Sequence, residues 1–362
     1  MSAVHVRRWT SEEFLASREP WQRLLARSDA DPLFMSWDWL SCWWRHHAVV
    51  LGAELCVLAV YSAADELCGV APFYSHRGVH RAVFRVRRLE LLGSAWRDTE
   101  AIFSEYLDLV ADRDSRDAVC TGVLEWLGAS AAWDELVLCN VRERSVAARL
   151  ATALGQFAYV RPAESMLGFS ITLPESFDSF VAQLSSGTRR KLLHQRDKVA
   201  DISCVEVPAG ERRAALERLE SFVARRWGGA PSATRAAFHA ELVERWADQG
   251  ALRLTELRTA GNLVSVMLNL RVAGTEYYLQ SGFDEAYAQG LSPGYLHLGF
   301  AIEAACRDRV RHFDFLAGRG LHRDYKRDLA PEGASLQSLQ VVRKPSLRTL
   351  FRLADRLRGS EN

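Results

Sequence analysis

The sequence predicts an α/β protein of the α+β kind, with two tandem domains that each have a mixed central sheet flanked by helices. Three observations support this. The chain has 362 residues, which is too long for one ordinary core. Apolar residues make up 48% of it and charged residues 25%, as in folded globular proteins. An order of helix, hairpin, strand, helix and strand occurs twice, with the hairpins beginning at Leu55 and Leu252.

The first half begins with an amphipathic segment at 11–28, which predicts a helix that ends before Asp31-Pro32. An aromatic helix over 34–47 follows, and Ser36 is its expected N-cap. The remaining elements are strands, with one further helix at 115–129. We expect the strands at Leu55–Tyr61, Leu67–Tyr74, Leu89–Leu92, Tyr106–Val110 and Glu135–Val141.

The second half begins with helical stretches at 174–200 and 210–249. A hairpin around Gly261-Asn262 follows, and Pro293 lies in the first turn of a later helix. The strands are expected at Leu252–Leu257, Leu263–Val272, Tyr277–Ser281 and His312–Leu316, and the later helix at 293–308. We therefore divide the chain into domains at 1–165 and 166–345, and a basic amphipathic C-terminal helix at 346–362.

The charge is distributed unevenly between these halves. The net charge of +1 excludes a globally basic nucleic-acid binder, and no DNA partner is expected. Residues 1–165 contain 18 arginines and 22 acidic residues, a net −4, whereas the remainder contains 28 basic and 23 acidic residues, a net +5. An anionic ligand is therefore expected in the second half.

Targeting, disulfide and metal signals are weak. The N-terminal sequence has no apolar stretch of signal-peptide length, and Leu55–Tyr61 is far shorter than the roughly 20 residues of a membrane span. Seven scattered cysteines contain no C-x-x-C pair, which favours reduced core thiols in the cytoplasm. The pairs His46-His47 and His76/His80 lack further ligands at metal-binding spacing, so no metal is expected.

Three stretches resemble a known family. They are PLFMSWDWLSCWW at 32–44, SSGTRRKLLHQRDK at 185–198, and the segment 277–329 with its YYLQSGFDEAYAQGLSPGYLHLGF and RHFDFLAGRGLHRDYKRDL motifs. In this order they resemble the CelD/BcsL-type acetyltransferases of the GNAT superfamily, which are similar to the FemAB peptidyltransferases with two tandem GNAT-like domains. The resemblance implies acyl transfer from acyl-CoA, typically acetyl-CoA, to an amine or hydroxyl. The implied acceptor is a sugar or lipid-linked precursor in exopolysaccharide or cellulose biosynthesis.

The resemblance assigns the donor site to the start of the helix at 293–308. A helix N-terminus offers N–H groups and a positive dipole end to a pyrophosphate. The expected donor-binding residues are Leu291, Ser292, Gly294 and Tyr295. The sequence QGLSPG departs from the family's usual glycine pattern, and Pro293 removes one N–H donor. A helix start without a ligand is the alternative.

The strand HFDFL and the segment after it carry the main catalytic candidates. Asp314 alternates with phenylalanines and faces the opposite side of the strand, where it needs a partner such as Lys326 or Arg319. By resemblance, Tyr325 protonates the leaving thiolate, Lys326 holds acceptor or carbonyl charge, and Arg319 binds substrate. The alternative is a structural Asp–Lys bridge beside a packing tyrosine.

Tyr278 and Gln280 are expected on one face of the strand Tyr277–Ser281, which lines the acyl-transfer cleft in the GNAT fold. Tyr278 is predicted to contact substrate. Gln280 is a catalytic candidate that would fix the acceptor or a water molecule. The alternative is that both residues belong to the edge of the core.

A basic stretch supplies further candidates for substrate binding. Arg189, Arg190 and Lys191 would capture phosphates through charged donors, although such a run is often a solvated face. Trp227 is predicted to form a wall of the cleft, with simple packing as the alternative. The C-terminal helix combines an apolar face with arginines, which suits either peripheral contact with the inner face of the membrane or docking on the protein's own core.

Two other functions remain open from sequence. A FemAB-like peptidyltransferase would use aminoacyl-tRNA as its donor and a peptidoglycan precursor as its acceptor, but +5 over the second half is a weak basic signal for RNA. A non-catalytic nucleotide-binding regulator of polysaccharide synthesis is supported only by the arginines at 189–196.

Overall fold

The computed structural model describes residues 4–80, 84–98, 101–199, 201–227, 232–287, 291–318, 325–330 and 333–359. The chain divides into two compact units. The first comprises Met1–Met166 and Ser335–Asn362, and the second comprises Leu167–Ala334.

A further helical turn covers 325–327, and eleven α-helices lie entirely within the described residues. They are α1 (Ser11–Ala16), α2 (Arg18–Ala26), α3 (Trp37–His47), α4 (Arg116–Ala129), α5 (Val146–Leu154), α6 (Phe177–Ala182), α7 (Ser186–Arg189), α8 (Arg212–Trp227), α9 (Ala233–Asp248), α10 (Pro293–Arg307) and α11 (Pro345–Gly359). A π-helical turn at Arg190–His194 and a 3₁₀ turn at Arg196–Lys198 follow α7. A second 3₁₀ turn, Ala209–Glu211, precedes α8. None of the helices in the described ranges is long and apolar enough to cross a membrane.

The strands are β1 (Val4–Arg8), β2 (Glu54–Ser62), β3 (Leu67–His80), β4 (Phe84–Leu91), β5 (Val110–Ala111), β6 (Glu135–Arg142), β7 (Tyr159–Thr172), β8 (Ile202–Glu206), β9 (Leu252–Thr259), β10 (Asn262–Val272), β11 (Thr275–Phe283), β12 (His312–Gly318) and β13 (Gly333–Val342). In the first unit the strand order is β1-β2-β3-β4-β6-β13, and β5 pairs with β3. In the second unit the order is β8-β9-β10-β11-β12, followed by the part of β7 from Leu167 onward.

The strands of the two units repeat one plan. All their pairs are antiparallel apart from β4–β6 in the first unit and β11–β12 in the second. Each parallel pair is three residues long, from Arg88–Glu135 to Glu90–Val137 and from Thr275–His312 to Tyr277–Asp314. The predicted fold class, a mixed α/β structure in which a mixed sheet is flanked by helices, is confirmed.

The end of the chain differs from the sequence-based division at 345. From Ser335 onward the chain lies in the first unit, because β13 pairs antiparallel with β6. α11 packs there too, with Leu347 buried against Val86 and Val342. Asp355 of α11 accepts hydrogen bonds from Arg161 at 2.7 Å and from the Tyr159 hydroxyl at 3.0 Å. The C-terminal helix thus docks on a core of its own unit.

Most predicted elements occur, and Ser36 is the N-cap of α3, where its hydroxyl accepts the Trp39 N–H at 3.1 Å. The single helix over 11–28 was wrong. The chain breaks at Ser17 because Pro20 lacks an N–H donor and its ring would clash with the residue 16 carbonyl of a continuous helix.

The predicted strand at Tyr106–Val110 was also wrong, and only Val110–Ala111 is extended in the sheet. Tyr106 has a positive φ of 55°, which is incompatible with a strand.

The hairpin between β9 and β10 turns one residue earlier than predicted. Ala260 and Gly261 have φ values of 45° and 79°, so they are the turn residues and Asn262 begins β10. Positive φ at both central residues is the geometry that matches the twist of two hairpin strands.

A buried ion network in the first unit centres on Glu135. Its carboxylate contacts the Arg88 guanidinium and accepts the Gln340 amide at 2.9 Å, and His80 Nε2 lies 2.6 Å from it. Burial alone would raise the pKa of Glu135. The hydrogen bond from His80 and the charge of Arg88 outweigh burial and lower this pKa to about 2.

We predict that this network makes the stability of the protein sensitive to acid. The pKa of Glu135 is lower in the folded chain than its ordinary 4.5, so the network contributes stability above pH 4.5 that is lost as pH falls toward 2. The contribution is about 3 kcal/mol. Urea unfolding from pH 2 to 7 should show a shallower acid limb for Glu135→Gln than for the wild type. Glu66→Gln, in an exposed turn, is the control, and equal acid limbs in wild type and Glu135→Gln would contradict the prediction.

Candidate functional site

A cavity of about 780 Å³ lies in the second unit, beside the carboxyl ends of β11 and β12. Its walls come from α8, β11, the start of α10 and the helical turn at 325–327. The lining residues are Phe222, Val223, Arg226, Tyr278, Leu279, Gln280, Ser281, Gly282, Phe283, Glu285, Leu291, Ser292, Pro293, Gly294, Tyr295, Leu298, Tyr325 and Lys326.

The sheet itself creates this opening. The parallel ladder between β11 and β12 ends at the pair Tyr277–Asp314. Beyond it, β11 runs on to Phe283 beside β10, and β12 runs on to Gly318 beside β7. Between the described parts of these strands no further ladder pairs form past Tyr277. The edge of β11 that faces the cavity therefore presents backbone groups to a ligand rather than to β12.

A β-bulge in β11 changes which side chains share a face. Leu268 of β10 pairs with Gln280 and Asn269 pairs with Tyr278, so Leu279 is the extra residue. Tyr278 packs on the α10 side of the sheet, whereas Gln280 lies opposite Leu268 in the cluster on the α8 side. The prediction that Tyr278 and Gln280 share one face was wrong, because the bulge interrupts the two-residue alternation. Both residues still line the cavity, because its lining includes side chains from both faces of the sheet.

Three tyrosines form a cluster on the α10 side. The Tyr278 hydroxyl contacts Ser281 Oγ and is hydrogen-bonded to Tyr325. The Tyr295 ring lies edge-on to the Tyr325 ring, with their centroids 6.0 Å apart. Burial, together with the neighbouring Tyr278 and Tyr295, raises the pKa of Tyr325 well above its usual value. The Tyr325 hydroxyl therefore keeps its proton at neutral pH and can donate it.

Lys326 and Asp314 meet the backbone just after the end of the parallel ladder. The Lys326 ammonium is buried and donates to the carbonyls of Leu316 at 3.2 Å and Ala317 at 2.7 Å. Asp314 Oδ1 accepts the Leu316 N–H at 2.7 Å, across a bulge in which Leu316 has a φ of 61°. Lys326 lines the cavity, whereas Asp314 is not among the lining residues. The catalytic role of Asp314 stays a prediction, and its visible contact supports the shape of β12.

The start of α10 contains the four residues predicted to bind the donor. Leu291, Ser292, Gly294 and Tyr295 all line the cavity. The Ser292 N–H is occupied by the side-chain oxygen of Gln195 at 2.9 Å. Within the described residues, the Ser292 hydroxyl makes no capping hydrogen bond to the first N–H groups of α10. A methyl group on Gly294 would lie 2.9 Å from the Phe283 ring, so glycine is required for this close packing.

The basic stretch lies outside the cavity lining. Arg189 donates to the carbonyls of Ala182, at the end of α6, and Leu184, just beyond it. Arg190 is exposed, and the Lys191 ammonium lies 4.9 Å above the Tyr295 ring. Arg196 donates to Glu303 at 2.6 Å. Three of these basic side chains therefore already contact other groups of the protein, which weakens the argument for a nucleotide-binding regulator.

Two predicted substrate-binding residues are not placed by the structure. Trp227 is the last residue of α8, but its side chain lies outside the described residues, as does the whole of Arg319.

Sequence reasoning missed several lining residues. Arg226 and Glu285 form an ion pair at 3.2 Å at the cavity, and Phe222 and Ser281 also line it. Arg226 looked like one of many arginines on a helix, and Glu285 lay in a loop without a motif. The one available signal was the position of Arg226 in the turn before Trp227, which the sequence had already assigned to the cleft.

Comparison with known proteins gives a domain assignment for the second unit. Residues 186–327 match the family model described as an acetyltransferase (GNAT) domain. None of the curated proteins compared matches the chain in sequence. The matched range contains every residue that lines the cavity.

Solved structures resemble the chain over nearly its whole length. FemX aligns with 96% of this chain and 99% of its own, with a TM-score of 0.62 and 10% identity. The C-terminal domain of a putative lysylphosphatidylglycerol synthetase from Agrobacterium fabrum covers 93% and 95% at a TM-score of 0.53 and 10% identity. L-PGS from Bacillus licheniformis covers 94% and 96% at a TM-score of 0.50 and 11% identity. Residues 186–327 thus resemble an acetyltransferase (GNAT) domain, and the chain as a whole shares its fold with these solved structures.

Proposed function

We propose that the protein is a GNAT-type acyltransferase that transfers an acyl group, most simply acetyl, from acyl-CoA to an amine or hydroxyl. The observation that carries the proposal is the cavity where β11 and β12 part, with a protonated tyrosine on one side and the N-terminus of α10 on another. A free strand edge, a proton donor and a helix N-terminus in one cavity meet the needs of a thioester donor with a pyrophosphate.

The residues at the start of α10 fit the phosphates of CoA. The N–H groups of Gly294 and Tyr295 receive no cap from the Ser292 hydroxyl and lie at the positive end of the helix dipole. Leu291 and Ser292 line the same opening. The exposed edge of β11 offers peptide groups to the amide-containing arm of the donor.

In the proposed reaction, the one side chain of this protein that takes part directly is Tyr325, which protonates the leaving thiolate. The amine or hydroxyl of the acceptor attacks the thioester carbonyl, the carbon–sulfur bond breaks, and the Tyr325 hydroxyl gives its proton to the thiolate. The proton that the acceptor loses passes to solvent, and solvent returns a proton to Tyr325. The Tyr278 hydroxyl holds the Tyr325 hydroxyl in place through a hydrogen bond, and Ser281 in turn contacts the Tyr278 hydroxyl. Lys326 holds the carbonyls of Leu316 and Ala317 and so fixes the segment beside the reacting atoms.

The proposed acceptor is a sugar or lipid-linked precursor in exopolysaccharide or cellulose biosynthesis, as in the CelD/BcsL-type enzymes that the sequence resembles. The protein would act in the cytoplasm. Leu353 and Leu357 of α11 are 54% and 69% exposed beside arginines, which supports peripheral contact with the inner face of the membrane.

Calorimetry of acetyl-CoA binding to the full chain tests the donor assignment. We expect binding by the wild type and at least tenfold weaker binding by Gly294→Val, because the added side chain meets the Phe283 ring at the start of α10. Gly210→Val is the matched control, since a Cβ there meets no atom within 4 Å. A wild-type protein that gives no heat with acetyl-CoA or with longer acyl-CoAs would reject the donor.

The second candidate is the FemAB-like transferase with aminoacyl-tRNA as its donor. It is favoured by one feature of the α10 start, where Pro293 has no N–H and the Ser292 N–H is occupied by Gln195. These losses reduce the donors available to a pyrophosphate. Transfer that requires charged tRNA and falls steeply with added salt would favour this candidate over acyl-CoA.

A further inference from the structure

The basic segment at 185–198 packs against α10, the helix whose start lines the cavity. Leu192 is buried, and a Cβ on Gly299 would clash with the Leu192 carbonyl, so the two backbones are in close contact. The Arg196 guanidinium lies 3.7 Å from the centre of the Phe300 ring. These contacts indicate that the segment holds α10 in place.

Gln195 extends this contact to the start of α10. Its side-chain oxygen accepts the Ser292 N–H at 2.9 Å, and the Ser292 carbonyl accepts the Leu296 N–H at 3.0 Å. Both peptide groups of Ser292 are therefore held by hydrogen bonds. Gln195 is 6% exposed and lies outside the cavity lining, whereas Ser292 lines the cavity. Gln195 is thus placed to act on a ligand through the backbone that it holds, and not by direct contact.

The π-helical turn at Arg190–His194 orients Gln195 toward Ser292. The Gln195 N–H donates to the Arg190 carbonyl at 3.0 Å, which is five residues earlier instead of the four of an α-helix. Each residue of an α-helix rotates the chain by about 100°, so the side chain at 195 would point in another direction without the extra residue. Such π-helical turns occur frequently at functional sites.

We propose that Gln195 is a positioning residue for the phosphates of the donor, because it fixes the start of α10 while carrying no charge. This inference rests on the acyltransferase function proposed above and names a side chain that sets its donor site. Gln195 occupies the N–H of Ser292 and fixes the direction of the N–H groups that follow it. An amide oxygen accepts this hydrogen bond as a neutral group, whereas a carboxylate would accept it and also repel a nearby phosphate.

Two substitutions separate the hydrogen bond from the charge. Gln195→Met removes the acceptor and keeps a side chain of similar length. We expect the amide hydrogens of residues 291–298 to exchange at least tenfold faster in this variant, and acetyl-CoA to bind at least fivefold more weakly, because the start of α10 is no longer held.

Gln195→Glu keeps the acceptor and adds a negative charge. We expect amide exchange within twofold of the wild type, since the Ser292 N–H keeps a partner at the positive end of the helix dipole. Acetyl-CoA should nevertheless bind at least tenfold more weakly, and this loss should shrink as salt is added. If Gln195 had only a structural role, Gln195→Glu would bind acetyl-CoA like the wild type.

Hydrogen exchange of the full chain, followed by mass spectrometry, and calorimetry with acetyl-CoA measure these effects. Gln183→Met and Gln183→Glu are the matched controls. Gln183 follows α6, and its amide donates to the Ser179 carbonyl at 3.1 Å outside the cavity lining. Both controls should stay within twofold of the wild type in exchange of residues 291–298 and in affinity.

Three results would overturn the proposal. They are unchanged exchange of residues 291–298 in Gln195→Met, wild-type affinity for acetyl-CoA in either Gln195 variant, and equal losses in the Gln183 variants. If Gln195→Met does not fold, the affinity of Gln195→Glu decides the matter. Failure of the acyltransferase proposal is seen separately, as a wild-type protein that binds no acyl-CoA. That result would also end the donor role of Gln195, whereas the exchange measurement would still show whether Gln195 holds the start of α10.

Discussion

Replacing Tyr325 by phenylalanine is expected to lower kcat for acetyl transfer about 100-fold or more, with little change in the KM of acetyl-CoA. The substitution removes the one hydroxyl proposed to protonate the leaving thiolate and keeps the ring that packs beside Tyr295. Because the pKa of Tyr325 is raised, its loss of a proton should not limit the wild-type rate below pH 10. Steady-state kinetics between pH 6 and 9 measures both effects.

Tyr295→Phe is the matched control for this result. Tyr295 lines the same cavity, but its hydroxyl is directed to Asp328 at 3.4 Å rather than to Tyr278. We expect its kcat to stay within about threefold of the wild type. Equal turnover by Tyr325→Phe and the wild type would remove Tyr325 from the mechanism, and a loss of thermal stability that accounts for the lower rate would assign it to packing.

Replacing Lys326 by methionine is expected to abolish measurable transfer and also to lower the free energy of unfolding. Lys326 is 7% exposed, and its ammonium satisfies the carbonyls of Leu316 and Ala317. Removing it leaves two buried acceptors without this donor, at a cost of about 1–3 kcal/mol each. Urea unfolding gives the stability and the acetyl-transfer assay gives the activity.

Two further variants show whether the loss in Lys326→Met is specific to this part of the second unit. Lys191→Met removes a partly exposed lysine that contacts the Tyr295 ring from outside the cavity lining, and it should leave stability and kcat nearly unchanged. Asp314→Ala removes the acceptor of the Leu316 N–H and is expected to lower activity through the shape of β12. Full activity in both Lys326→Met and Asp314→Ala would exclude this corner of the second unit from the site.

The sequence predicted the cavity more completely than it predicted the surrounding charges. Tyr278, Gln280, Leu291, Ser292, Gly294, Tyr295, Tyr325 and Lys326 were all named from sequence and all line it. Six of them lie within or beside two local patterns, the strand YYLQS and the helix that begins at Pro293, which can be recognised without tertiary contacts. Tyr325 and Lys326 belong instead to the segment after the strand HFDFL. The basic stretch at 189–191 lies outside the cavity lining, and its role in substrate binding stays a prediction.

Sequence alone determined the repeated order of elements, the hairpins and the start of α3, because each depends on residues within a few positions of one another. The tertiary structure decided the rest. The return of β13 to the first unit depends on pairing with a strand about 200 residues earlier, and burial of Leu347 depends on that return. The bulge that separates Tyr278 from Gln280 depends on register against β10, and Arg226 meets Glu285 only because α8 and the end of β11 enclose one cavity. Such contacts are set by the packing of distant segments, which no local pattern encodes.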